Sequence, residues 1–219
     1  MSVATTTTNT TVLAGRLWAP PSERTQAVVR TAALVLGFAL LTAALAQFRI
    51  HLGFTPVPIT GQTLGVLLAG GALGWRLGAA SQLVYFLLGL IGLPFYAGGK
   101  GGWTNGTGGT FGYFIGFIVA AALIGYLAER RQDRNVLSCW AAMAFGSVIV
   151  YVCGAGWLAL KYNYPIATGD VNPEIIGDQN AISSGVTPFL IGDFVKLVLA
   201  GAMLPAAWAI ADRSAPPTE

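Results

Sequence analysis

Two charged residues stand inside the last long apolar stretch of the chain: Asp193 and Lys196, in FLIGDFVKLVLAG. A carboxylate and an ammonium in mid-membrane are costly, and such groups usually mark a ligand path or a proton relay. Their i, i+3 spacing puts them on one helix face. If the helix enters near Val186 and rises about 1.5 Å per residue, Asp193 lies about 10 Å deep and Lys196 about 15 Å deep. One role for them is an ion pair that ties helices together. The other is a site for a small polar ligand. There the ammonium receives a ligand carboxylate and the carboxylate accepts ligand N–H groups.

Other polar residues interrupt apolar runs. In VPITGQTLG, Thr60 can cap a helix with its side-chain oxygen, and Gln62 and Thr63 fall in the first turns. In SQLVYFLLG, Gln82 and Tyr85 share a helix face. The loop GGKGGWTNGTGGT (98–110) lacks GxxxxGK[ST] and follows no strand, so it is no phosphate loop. It reads as a flexible lid that carries Trp103 and Asn105 over a pocket. His51 is the only histidine, so neither HExxH nor a histidine-based metal cluster can form. GxSxG is absent as well. An intramembrane hydrolase or lipid-modifying enzyme has no visible machinery, and no metal or cofactor is expected. Without a Walker A motif, any ATP hydrolysis must come from separate subunits.

Membrane helices must position these groups. Of 219 residues, 54% are hydrophobic and only 10% are charged, against roughly 25% charged in a soluble domain. That excludes an ordinary soluble protein and a disordered one. The net charge of +3 is scattered rather than striped, so nucleic acid is not expected as a partner. The reading is an all-α polytopic membrane protein of six spans, at 27–48, 60–74, 77–97, 111–128, 136–160 and 186–211. Segment 60–74 is short, either a tilted span or one arm of a re-entrant hairpin. Residues 1–26 read as a flexible cytoplasmic tail, 27–211 as the membrane domain and 212–219 as a second tail. The connection 161–184 holds Asp170, Glu174 and Asp178.

Orientation follows the distribution of basic residues. Arg16, Arg24, Arg30, Arg76, Arg130, Arg131, Arg134 and Arg213 lie on one side, against Arg49, Lys100 and Lys161 on the other. Both termini are therefore expected to be cytoplasmic. Small-residue pairs at four-residue spacing (Gly61/Gly65, Gly70/Gly74, Gly74/Gly78, Gly112/Gly116, Ala39/Ala43) favour close helix packing. Cys139 and Cys153, about 21 Å apart along one helix, are too distant for an intrachain disulfide.

The stretches TPVPITGQTLGVLLAGGALG (55–74), LGAASQLVYFLLGLIGLPFYAGG (77–99), TFGYFIGF (110–117) and PFLIGDFVKLVLA (188–200) together resemble the BioY family. Its members are the biotin-specific substrate-binding (S) components of energy-coupling factor (ECF) transporters. The resemblance implies an S-component bundle of six membrane helices in a prokaryotic cytoplasmic membrane, with a biotin site near the outer face. Gly192, Asp193 and Lys196 match the family's GDxxK, which is associated with biotin binding, and Gln62 and Thr63 match its QT. Ser81, Gln82, Tyr85 and Gly89 to Pro94 match a third motif. The substrate-binding set is thus expected to be Asp193, Lys196, Gln62, Tyr85, Trp103, Asn105 and Thr110. Tyr85 and Trp103 would pack on the biotin bicycle. Ala39 and Ala43 match the small-residue surface by which S components dock on a membrane coupling protein. That protein works with two cytoplasmic ATPase subunits, and some relatives act without these partners. Two departures stand out. Gly108, Gly109, Thr110, Phe111 and Gly112 replace the family's GPTGG, and Gly98-Gly99-Lys100 stands where some relatives carry an amide.

Overall fold

The computed structural model describes residues 11–18, 21–166 and 180–213. The acids Asp170, Glu174 and Asp178 lie outside the described residues, as do the first ten residues and 214–219. The described chain is an all-α bundle. Its helices are α1 (Leu13–Leu17), α2 (Arg24–Gln47), α3 (Gln62–Leu73), α4 (Trp75–Leu90), α5 (Trp103–Gly106), α6 (Phe111–Glu129), α7 (Val136–Tyr162), α8 (Ala181–Gly185) and α9 (Leu190–Arg213). Strands β1 (Arg49–Ile50) and β2 (Ile59–Thr60) pair antiparallel between α2 and α3, with Arg49 opposite Thr60.

Among the described residues, four runs are long and apolar enough to cross a membrane: α2, α6, α7 and Ala181–Arg213. Exposed Leu36, Leu40, Phe145, Val152, Phe194 and Leu199 on these helices suit a lipid surrounding. The two remaining expected spans are shorter. α3 has 12 residues and α4 has 16. The expected span 77–97 stops at Leu90 because Gly92 takes φ +113° and Pro94 follows. The chain then turns back, and Tyr96 buries its ring over the end of α4, with its hydroxyl donating to the Phe86 carbonyl at 2.7 Å.

Packing centres on α6, which contacts α3, α4 and α7. The contacts run through glycines that let backbones meet. A Cβ on Gly61 would sit 2.7 Å from the Leu45 carbonyl on α2, and one on Gly65 2.8 Å from Thr42 Oγ1. A Cβ on Gly70 would sit 2.7 Å from the Ala121 carbonyl of α6, and one on Gly112 would overlap the Cys153 carbonyl of α7. Gly74 joins α3 to α4 with no loop at all, at φ +81°, a region open to glycine. The Cα of Gly125 in α6 is seated on that junction, so a Cβ there would overlap the Gly74 carbonyl carbon and the Trp75 nitrogen.

The stretch 13–17 is not a free tail. Leu13 and Ala14 are buried, and α1 packs on α3 and α9. The cause is Arg30, the buried arginine of α2, whose guanidinium needs acceptors away from water. It donates to the Trp18 carbonyl at 2.7 Å and the Ala14 carbonyl at 2.9 Å. At the other terminus, Asp212 and Arg213 belong to α9, and Asp212 pairs with Arg16 at 3.2 Å.

Ala39 and Ala43, expected on a docking surface, do not reach the surface. They are 0% and 7% exposed, inside the core with Tyr85, Phe86 and Phe114. α2 turns this face toward α3 and α4. The exposed surface of α2 carries Ala33, Leu36, Gly37 and Leu40, and a Cβ added to Gly37 would meet nothing within 4 Å.

Candidate functional site

A cavity of about 220 Å³ opens where the β1–β2 loop, the turn at 96–100, the loop 104–110 and α3, α6, α7 and α9 converge. Its buried end is a polar cluster from three helices. Asp193 sits in the first turn of α9, where the helix dipole favours an anion, and it is 8% exposed. Lys196 donates to Asp193 Oδ1 at 2.5 Å and to Thr63 Oγ1 at 3.1 Å. Thr63, on α3, donates to the same Oδ1 at 2.9 Å. Tyr151, on α7, donates its hydroxyl to Oδ2 at 2.6 Å.

Beside this cluster, Gln62 is held at both ends of its amide. Its Nε2 donates to the Tyr85 hydroxyl at 2.5 Å, and its Oε1 accepts from Thr60 Oγ1 at 2.6 Å. Thr60 meets the Gln62 N–H only at 3.4 Å, and the N-cap position is Gly61, so the hydroxyl serves the glutamine side chain more than the helix end.

The exposed end is basic, with Arg49, His51 and Lys100 on its lining. Gln47, the last residue of α2, holds this mouth in shape. It accepts the Gly99 N–H at 2.8 Å and donates to the carbonyls of Ala43 at 2.8 Å and Tyr96 at 3.4 Å. Gly98 and Gly99 both take left-handed φ, +73° and +69°, and the Arg49 guanidinium lies where a side chain at 98 would begin. Gly98-Gly99-Lys100 thus seats an arginine against a bare backbone and places a lysine at the mouth.

The glycine-rich loop is more built than its composition suggests. Asn105 donates to the Gly101 carbonyl at 2.7 Å. From α7, Trp157 donates to the Gly108 carbonyl at 2.8 Å and Lys161 to the Thr107 carbonyl at 3.0 Å.

Five of the seven substrate-binding residues expected from sequence line the cavity: Asp193, Lys196, Gln62, Asn105 and Thr110. Tyr85 and Trp103 do not. Tyr85 is fully buried beneath Gln62, stacked on Phe95 at a ring separation of 6.4 Å, and so it orients the amide rather than meeting a ligand. Trp103 is 69% exposed, because the one-turn helix α5 directs it away. The expected set missed Arg49 and Lys100 at the mouth and Tyr151 at the buried end. A tyrosine midway along an apolar helix needs a partner for its hydroxyl, but the sequence does not say which. Phe114, Phe117, Val150 and Phe189 supply an apolar wall, the mixture expected of a small-molecule pocket.

Compared with known proteins, residues 16–213 match the BioY family. The chain is 37% identical over 158 residues to a biotin transporter BioY of Rhizobium etli, covering 69% of this chain and 78% of that one. It is 39% identical over 176 residues to a biotin transporter BioY of Rhodobacter capsulatus, covering 78% and 90%. Among solved structures, it is similar to the S-component for biotin from an ECF-type ABC transporter, with a TM-score of 0.72 and 27% identity over 86% of this chain and 95% of that one.

Proposed function

The chain belongs to the BioY family, and from that premise we propose that biotin enters the cavity ureido ring first, with its carboxylate left at the Arg49–Lys100 mouth. The protein is a biotin transporter of the S-component type, a multi-pass membrane protein and not an enzyme. The observation that carries the orientation is the unused hydrogen-bonding capacity at the buried end. An ionised carboxylate accepts about four hydrogen bonds, and Asp193 receives those of Thr63, Lys196 and Tyr151. Among the described residues, one place is left, on Oδ2. Lys196 has three N–H groups and, among the described residues, uses two of them, on Asp193 and Thr63. One acceptor beside one donor complements the N–H and C=O of a ureido edge. A carboxylate at that end would face Asp193 directly.

Equilibrium binding of labelled biotin to the purified protein tests the ligand. Affinity tighter than about 1 µM is expected, a binding free energy beyond about −8 kcal/mol, and weaker binding would overturn the assignment. The orientation has its own test. Arg49→Gln with Lys100→Gln is expected to weaken biotin about tenfold, the scale of one charge-assisted hydrogen bond. The same pair of substitutions should leave biotin methyl ester unchanged. Equal losses for acid and ester would place the carboxylate elsewhere.

The six helices α2, α3, α4, α6, α7 and α9 then form the membrane domain of a prokaryotic cytoplasmic membrane. The arginine bias supports cytoplasmic termini and a cavity that opens outward. A membrane coupling protein with two ATPase subunits would dock on the exposed face of α2, at Ala33 and Gly37 rather than Ala39 and Ala43. Gly37→Leu is expected to leave biotin binding and melting temperature unchanged while lowering uptake severalfold in cells that supply those subunits. Unchanged uptake would remove this face from the partner interface.

A further inference from the structure

We propose that Tyr151 is a positioning residue for ligand capture, acting through Asp193 rather than on the ligand itself. This deepens the reading above and rests on it, because it assumes that Asp193 Oδ2 faces the biotin ureido group. Of the three donors to Asp193 among the described residues, Thr63 and Lys196 converge on Oδ1 and fix that oxygen alone. The terminal torsion of an aspartate is broad, so one anchored oxygen leaves the plane of the carboxylate free to turn. The Tyr151 hydroxyl at 2.6 Å from Oδ2 sets that plane.

The contact also joins different elements. Tyr151 lies in α7 and Asp193 in α9, 42 residues apart in sequence. The tyrosine is half-buried within an apolar helix long enough to cross a membrane, where a hydroxyl without a partner is costly. Its one donor hydrogen is committed to the carboxylate, so the ligand would meet an oxygen whose direction Tyr151 has chosen.

Binding of labelled biotin to wild type, Tyr151→Phe, Asp193→Asn and the double variant tests this as a cycle. Tyr151→Phe is expected to weaken biotin about 5- to 10-fold with a melting temperature near that of wild type. In the Asp193→Asn background it should cost nothing further. A second cycle pairs Tyr151→Phe with Thr63→Val and covers the case in which Asp193→Asn binds too weakly to measure. There the two losses should again be less than multiplicative, because both substitutions free the same carboxylate. Wild-type affinity in Tyr151→Phe would overturn the proposal, as would multiplicative losses in the measurable cycle. Failure of wild type itself to bind biotin would instead overturn the ligand assignment.

Discussion

Asp193→Asn is expected to lower biotin affinity by roughly 30-fold or more. Truncating one partner of a buried, hydrogen-bonded charge pair costs about 2–5 kcal/mol, and each factor of ten in affinity is about 1.4 kcal/mol. The pair qualifies as buried, because the side chains of Lys196 and Asp193 are 14% and 10% exposed. The substitution removes the anion that Lys196, Thr63 and Tyr151 all address, and it places an amide N–H where an acceptor stood. The same change leaves an ammonium without its counter-charge, so the protein should also melt earlier. Adding Lys196→Met separates the two effects. Replacing both members of a buried pair by uncharged groups is often neutral for stability. The double variant should therefore recover much of the melting temperature while biotin binding stays lost. Recovery of binding along with stability would mean that the pair is only a strut between helices.

Gly125→Val is expected to have the largest effect on the fold. The added atoms would collide with backbone at the α3–α4 junction, which cannot swing aside as a flexible side chain would. Overpacking of this kind costs about 1–3 kcal/mol or more. A cost of about 3 kcal/mol corresponds to about 6–12 °C in a protein of this length. Thermal unfolding in detergent measures it. Gly37→Val is the control, because the space around Gly37 is open. A Gly125→Val protein melting within about 2 °C of wild type would show that α6 has freedom to move away from Gly74.

What the sequence made legible, and what it did not, divides along physical lines. Asp193 and Lys196 stood out because charge inside an apolar run is rare, and one helix turn fixes their relation. Thr63 was visible as a polar residue near a helix start, but its place between the two charges depends on how α3 packs on α9. Tyr151 was hidden because a tyrosine in a membrane helix serves equally as an interfacial anchor, a packing ring or a donor. Ala39 and Ala43 show a different limit. Spacing tells which residues share a face, but a membrane helix is apolar on every side, so the pattern does not say whether that face turns inward. Arg30 carried a signal for α1 that went unread: a guanidinium within a span demands acceptors, and the preceding segment was the nearest source of carbonyls.

The brevity of α3 has a consequence for solvation. At about 1.5 Å per residue its 12 residues rise about 18 Å, well short of a hydrocarbon layer about 30 Å thick. Nine of them are buried among neighbouring helices, so lipid meets little of the shortfall. Where the helix is missing, the chain runs as the β1–β2 loop, and a well descends to its first turn at Gln62 and Thr63. A water column can therefore stand over Asp193 and Lys196 although both lie on a helix long enough to span. Solvent in the well reduces the electrostatic penalty of keeping two ions at that depth. One further turn on α3 would raise the floor by about 5.4 Å and fill the well with backbone. The depth at which this protein can hold a polar ligand is set by where one helix begins.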